Sequence, residues 1–272
     1  MDDAIDQLTP AAAAPLPPPA FSGTRWNGWI ILGIGAIALT AFLLVQIVAF
    51  TIILMKAHPG AIVSGLSPKA FSQAALIKLI TAKNLWFMTV SSEIVLAALT
   101  LLLARVWLGA AASTLGLGRA PAIALIAFGV AAGGLLFVAS GLTEKAQTLI
   151  FGPEPPQIQA LLLAQHKGGF NFLLDLMSVS IAAPFAEETF FRGLVFTGLA
   201  QRIHVVWAAV ISALLFGLAH FEPYSFFPIF VIGLGLAFVY YRTRSLWVSM
   251  CAHATVNAIS LAIAYLFPQL VK

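Results

Sequence analysis

Residues 26–55 read WNGWIILGIGAIALTAFLLVQIVAFTIILM, thirty positions without a charged side chain. A helix rises about 1.5 Å per residue and the bilayer's hydrocarbon core is about 30 Å thick, so about twenty apolar residues are enough to cross it. This run therefore predicts one membrane helix, with Trp26 and Trp29 where amphipathic rings settle at an interface. The pattern recurs outward along the chain. Leu85–Ala104 is interrupted only by Glu93, and Ala120–Thr143 carries no charge but Glu144 follows it directly. Phe172–Ala200 is less pure, whereas Ile203–Phe221, Pro223–Tyr241 and Ser245–Val271 are again charge-free. The expected fold class is all-α, a polytopic transmembrane helical bundle of about seven spans within a range of about six to eight. Gly129-x-x-x-Gly133 offers a small-residue face for close helix packing. Pro184 is expected to kink or start a helix, and Pro68–Ile80 to lie in the interface as an amphipathic helix.

Composition excludes the other classes. The chain is 61% hydrophobic and 9% charged, against roughly a quarter charged in soluble domains. A soluble enzyme, a disordered protein and a disulfide scaffold are all ruled out. The single cysteine, Cys251, cannot form an internal disulfide. A net charge of +4 would suggest nucleic acid only if basic residues clustered in a soluble patch, and they do not. The expected partners are the lipid bilayer and no nucleic acid, and the expected location is a membrane, the cell membrane in the first instance. Residues 1–25 hold Asp2, Asp3 and Asp6, an alanine run and five prolines between Pro10 and Pro19. They read as a disordered tail, not a cleavable signal peptide. The expected division is this tail, then N-terminal membrane helices with loops over 26–169, then membrane helices carrying the chemistry over 170–267.

Four of the scarce charges, Asp175, Glu187, Glu188 and Arg192, fall inside the fourth span, three of them within Ala183-Pro-Phe-Ala-Glu-Glu-Thr-Phe-Phe-Arg-Gly193. Each charge near the bilayer centre costs on the order of 3 kcal/mol, so such residues face the bundle interior. Glu188 and Arg192 are spaced i,i+4 and stack on a helix, where they pair. Glu187 lies about 100° round from Glu188 and is left free of that pairing. Phe216-Gly-Leu-Ala-His220 ends the fifth span, and His253 with Asn257 shares one face of the last. Glu187, His220, His253 and Asn257 thus form a candidate constellation of one carboxylate, two imidazoles and an amide from three helices. The bland alternative is polar glue between helices, at about 0.6–2 kcal/mol per hydrogen bond. His58, His166 and His204 read as incidental, and Glu93 as a packing or supporting residue.

In that order and spacing, Glu187-Glu188-x-x-x-Arg192, Phe216-x-x-x-His220 and His253-x-x-x-Asn257 resemble the CAAX protease and bacteriocin-processing enzyme family (CPBP, also called ABI). That family includes the CAAX prenyl endopeptidases. The resemblance covers roughly residues 170–265; residues 1–169 carry no such motif. It implies an intramembrane endopeptidase acting on a peptide or protein substrate. Glu187 and His220 would activate water, His253 and Asn257 would stabilise the oxyanion, and Glu188 with Arg192 would hold the site together. No cofactor is favoured, although a zinc ion on Glu187, His220 and His253 suits a set of His and Glu donors. No H-E-x-x-H is present, and Cys251 lies about 200° round the helix from His253, which speaks against a cysteine nucleophile. From another class, a transporter or scaffold would use buried Glu and His for protons or ligands. It would be favoured by Glu93 and Asp175 sharing a cavity with Glu187 and opening it to both sides of the membrane.

Overall fold

A computed structural model describes residues 26–59, 73–118, 121–152 and 158–271. The expected N-terminal tail, and the part of Pro68–Ile80 before Gln73, lie outside the described residues. Six helices are long and apolar enough to cross a membrane: α1 (Gly28–Ala57), α3 (Ala82–Leu108), α4 (Ile123–Phe151), α6 (Gly169–Ala200), α8 (Phe226–Thr243, preceded by a turn from Pro223) and α9 (Leu246–Leu266). Two short helices, α2 (Gln73–Leu79) and α5 (Ile158–Gln165), join them. The run expected as the fifth span forms α7 (Val205–Ala219), of only 15 residues. At about 1.5 Å per residue it rises about 22 Å, short of a full crossing by itself. The chain is a multi-pass membrane protein whose described residues form a helical bundle.

The helix ends follow from local sequence. Asn27 accepts from the Trp29 amide and starts α1; Thr81 accepts from the Asn84 amide and starts α3. His204, read above as incidental, caps α7 by accepting from the Val206 amide. Gly109 ends α3 in the left-handed region, which glycine enters at no steric cost. The Gln201 side chain accepts from the Trp26 amide and Arg202 donates to the Trp26 carbonyl, fastening the start of α1 to the α6–α7 turn.

α6 is the central element and packs on α1, α3, α7, α8 and α9. Pro184 does not split it. The ring removes the amide that would bond the Ser180 carbonyl, and the residues just before it, Ser178–Ala182, take a π-helical turn. A second π-helical stretch, Thr189–Phe196, follows directly after the two glutamates. The widened helix stays continuous through both. One hydrophobic cluster gathers Ile31, Ile34 and Ala38 of α1, Leu96 and Ala97 of α3, Ala186, Phe190 and Leu194 of α6, Phe216 of α7 and Ala252 of α9. The expected glycine face is real. A Cβ on Gly129 would stand 2.7 Å from the Val248 carbonyl, and one on Gly133 would collide with the Ala252 carbonyl, so α4 lies directly on the backbone of α9.

One polar cluster departs from expectation. His166 is buried and is not incidental. Its Nδ1 lies 2.7 Å from Oδ2 of Asp175, its Nε2 lies 3.1 Å from the Ile80 carbonyl, and Tyr265 donates to the same Asp175 oxygen at 2.6 Å. Both ring nitrogens face acceptors, which suits the imidazolium. The cluster ties the α2–α3 turn and the α5–α6 connection to α6 and α9. Burial alone pulls the His166 imidazole down, but the bond and charge of Asp175 and the Ile80 carbonyl outweigh it and hold it above the ordinary histidine value. Its contribution to stability is then full below about pH 6.5, the ordinary value, and is lost as pH rises through the raised one. Thermal unfolding in detergent from pH 5 to 9 should show wild type losing stability over wild-type-specific alkaline steps that His166→Gln lacks; parallel curves would refute the assignment.

Candidate active site

Glu188 and Arg192 sit at the middle of the bundle with no exposed surface. Arg192 Nη1 donates to Glu188 Oε1 at 2.9 Å, as the i,i+4 spacing predicts, and Nη2 donates to the Gly233 carbonyl of α8 at 2.9 Å. The guanidinium carbon lies 4.5 Å from the centre of the Phe216 ring of α7, a cation–π contact. Glu188 in turn accepts from Ser249 through Oε2 at 2.6 Å and faces His253 Nδ1 through Oε1 at 3.1 Å, both on α9. A charge this deep is tolerable only when paired and hydrogen-bonded. Groups from α6, α7, α8 and α9 supply those partners, and of the guanidinium nitrogens Nε has none among the described residues.

Glu187, the next residue, points elsewhere. Its side chain keeps 17% of its exposure, and its Oε2 lies 3.9 Å from His253 Nε2. That separation is too long for a direct hydrogen bond. Among the described residues Glu187 Oε2 has no hydrogen-bond partner. His220 caps the end of α7 and faces the Phe216 carbonyl through Nδ1 at 2.8 Å. A carbonyl can only accept, so Nδ1 carries the hydrogen, and in the neutral ring Nε2 then keeps its lone pair. Phe221 follows with φ of 53°, a left-handed conformation costly for a bulky residue, and the chain turns sharply just after His220. The Phe216 ring is shared: its centre lies 4.8 Å from that of His220 and 5.6 Å from that of His253. Asn257 reaches α6, where its amide donates to the Val179 carbonyl at 2.6 Å and retains a second N–H.

The structure thus brings Glu187, Glu188, Arg192 and His253 into one polar cluster. His220 stands across Phe216 from His253, and Asn257 is one turn beyond His253 on the same helix. Asp175 is not with them but is bound to His166 and Tyr265. Two groups escaped the sequence reading. Ser249 was legible, since Ser249, His253 and Asn257 recur every four residues on one face of α9. The Gly233 carbonyl was not, because a backbone acceptor leaves no mark in side-chain chemistry. Cys251 touches Gly129 on the α4 side of α9, away from the cluster. Among the described residues no three His, Cys, Asp or Glu side chains are gathered within reach of one metal ion.

Removing Arg192 would leave Glu188 buried without its cation, a loss on the order of 3–5 kcal/mol. Arg192→Met should therefore unfold at markedly lower temperature in detergent, whereas Glu187→Gln should stay within about 1 kcal/mol of wild type. Equal melting of Arg192→Met and wild type would remove the pair from its structural role.

Comparison with known proteins covers the stretch of chain that carries this cluster. Residues 169–259 match the family model described as type II CAAX prenyl endopeptidase Rce1-like. A protein of Bacillus subtilis (strain 168) named "Putative membrane peptidase YdiL" is 32% identical over 84 residues, 31% of this chain and 34% of that protein. The match spans about a third of the length of that relative. No solved structure matches the chain. The matched stretch runs from the start of α6 to near the end of α9 and contains all seven named residues of the three motifs, so over residues 169–259 this multi-pass membrane protein is similar to the Rce1-like, CPBP family.

Proposed function

We propose that the protein is an intramembrane endopeptidase that hydrolyses peptide bonds of membrane-associated peptides or proteins by a water-activated, metal-free route. The observation that carries this reading is the free Oε2 of Glu187, set 3.9 Å from His253 Nε2 beside a fully engaged Glu188. Two adjacent glutamates have opposite situations. Glu188 is bound by Arg192, Ser249 and His253, while Glu187 retains a carboxylate oxygen for a water molecule. In a low-dielectric, water-poor cavity a carboxylate is an effective general base.

In this reaction Glu187 takes a proton from water as the water oxygen bonds to the scissile carbonyl carbon. His220 assists, its Nε2 lone pair accepting from the same water. The carbonyl π electrons move to oxygen, and the resulting oxyanion is met by His253 Nε2–H and the second N–H of Asn257. His253 can donate from Nε2 only as the imidazolium, since Nδ1–H is turned to Glu188; the Glu188 carboxylate is its fixed counter-charge. Glu187 then passes its proton to the amide nitrogen, the C–N bond breaks, and a carboxylic acid and an amine leave. The transporter reading is disfavoured because Asp175 belongs to a separate cluster.

Glu187→Gln and His220→Ala should each reduce cleavage of a reconstituted membrane peptide by about a hundredfold or more while the protein still inserts and folds. Unchanged turnover in either variant would defeat the proposed chemistry. Purified enzyme should also keep its activity after exhaustive chelation; activity lost to chelator and restored by zinc would establish the metal route instead.

A further inference from the structure

α3 supplies a third acid to this site. Glu93 is 4% exposed, and its Oε2 is buried with no hydrogen-bond partner among the described residues. It heads the stripe that α3 buries, Glu93, Leu96, Ala97, Thr100 and Ala104. Leu96 and Ala97, one turn on, share a hydrophobic cluster with Ala186 and Phe190, which lie on either side of Glu187 in α6. α3 packs directly on the Ala183–Glu188 stretch of α6, and Glu93 lies within reach of the Glu187 charge. Glu187 Oε2 is the second buried, unpartnered carboxyl oxygen at this helix contact.

Charge balance distinguishes the two acids. Arg192 and the His253 imidazolium neutralise Glu188 and Glu187 within the cluster, and nothing remains for Glu93. Among the described residues no cation pairs with it. The neighbouring hydroxyls of Ser91 and Ser92 donate to carbonyls of their own helix, at Phe87, Met88 and Thr89. Gln46 of α1 donates to Ser92 at 3.5 Å rather than to the carboxyl. A carboxyl group with no cation and no donor, beside a second carboxylate in an apolar interior, keeps its proton.

We propose that Glu93 is a positioning residue, a neutral carboxylic acid whose O–H is directed at the Glu187 carboxylate and holds it in the orientation from which it accepts the proton of water. Glu93 retains its own proton through the cycle, so the atom balance of the hydrolysis is unchanged. The inference rests on the endopeptidase reading for its catalytic consequence, and on burial and charge balance alone for the protonated carboxyl.

Two substitutions and two measurements test it. Glu93→Gln keeps an uncharged donor of the same length and should retain kcat within about threefold of wild type, whereas Glu93→Leu keeps the bulk, loses the donor and should lower kcat about tenfold or more with KM little changed. If Glu93→Leu does not insert, Glu93→Met takes its place. Infrared spectra of the resting protein should show a carboxylic acid C=O band that shifts in D2O and is missing from both variants. Rescue by Gln together with loss of the band supports the assignment. Gln and Leu variants equally impaired, a Leu variant with wild-type kcat, or a band that survives Glu93→Gln would each overturn it. Wild-type protein that cleaves no peptide would count against the endopeptidase reading alone, because the band is read without turnover.

Discussion

Everything at the centre of this bundle depends on one buried ion pair. Arg192 and Glu188 have no contact with solvent, and the desolvation of two charges is recovered only by completing their hydrogen bonds inside the protein. Those bonds reach outward to the Gly233 carbonyl of α8, the Ser249 hydroxyl and His253 ring of α9, and the Phe216 face of α7. Four helices are therefore held in register by the needs of one guanidinium and one carboxylate. Apolar packing between helices in lipid has little directionality, since lipid tails are as apolar as leucine. The ion pair supplies the direction.

The same pair separates two chemically identical neighbours. Glu188 is consumed by structure, so Glu187 is left with an oxygen free for other work. The π-helical turns on either side make this arrangement practicable. A wider turn displaces successive side chains from the ordinary 100° step, and in α6 it brackets the short α-helical stretch Ala183–Glu188. Pro184 disturbs the ladder just upstream, and the Thr197 hydroxyl takes up the Arg192 carbonyl downstream at 2.9 Å. The irregularity is thus confined between partners that satisfy its loose backbone groups.

Local spacing made much of this legible. The Trp26–Met55 run needs only its length and lack of charge to be read as a span, and Glu188 with Arg192 needs only the helical period. Gly129 and Gly133 announced a close helix contact in the same way. What resisted reading depends on long-range geometry. His166 resembles an ordinary loop histidine until folding brings Asp175, Tyr265 and the Ile80 carbonyl around it, partners 9, 99 and 86 residues away by number. The fifth apolar run looked like a full span because composition does not mark where α7 begins and stops. Helix boundaries depend on caps, here His204 and His220, whose roles emerge only from their contacts. Glu93, read as a supporting residue, gained its significance from what faces it on α6.

The shortness of α7 has a consequence for the membrane itself. A helix rising about 22 Å leaves the carbonyls at its end at a depth where hydrocarbon offers no hydrogen bond, unless the bilayer thins or water reaches them. His220 answers for one such carbonyl, that of Phe216; the others near the sharp turn at Phe221 call for solvent. A local dimple in the lipid beside α7 would hydrate those groups and, by the same indentation, bring water, the reactant of the proposed hydrolysis, to a site otherwise walled by apolar side chains.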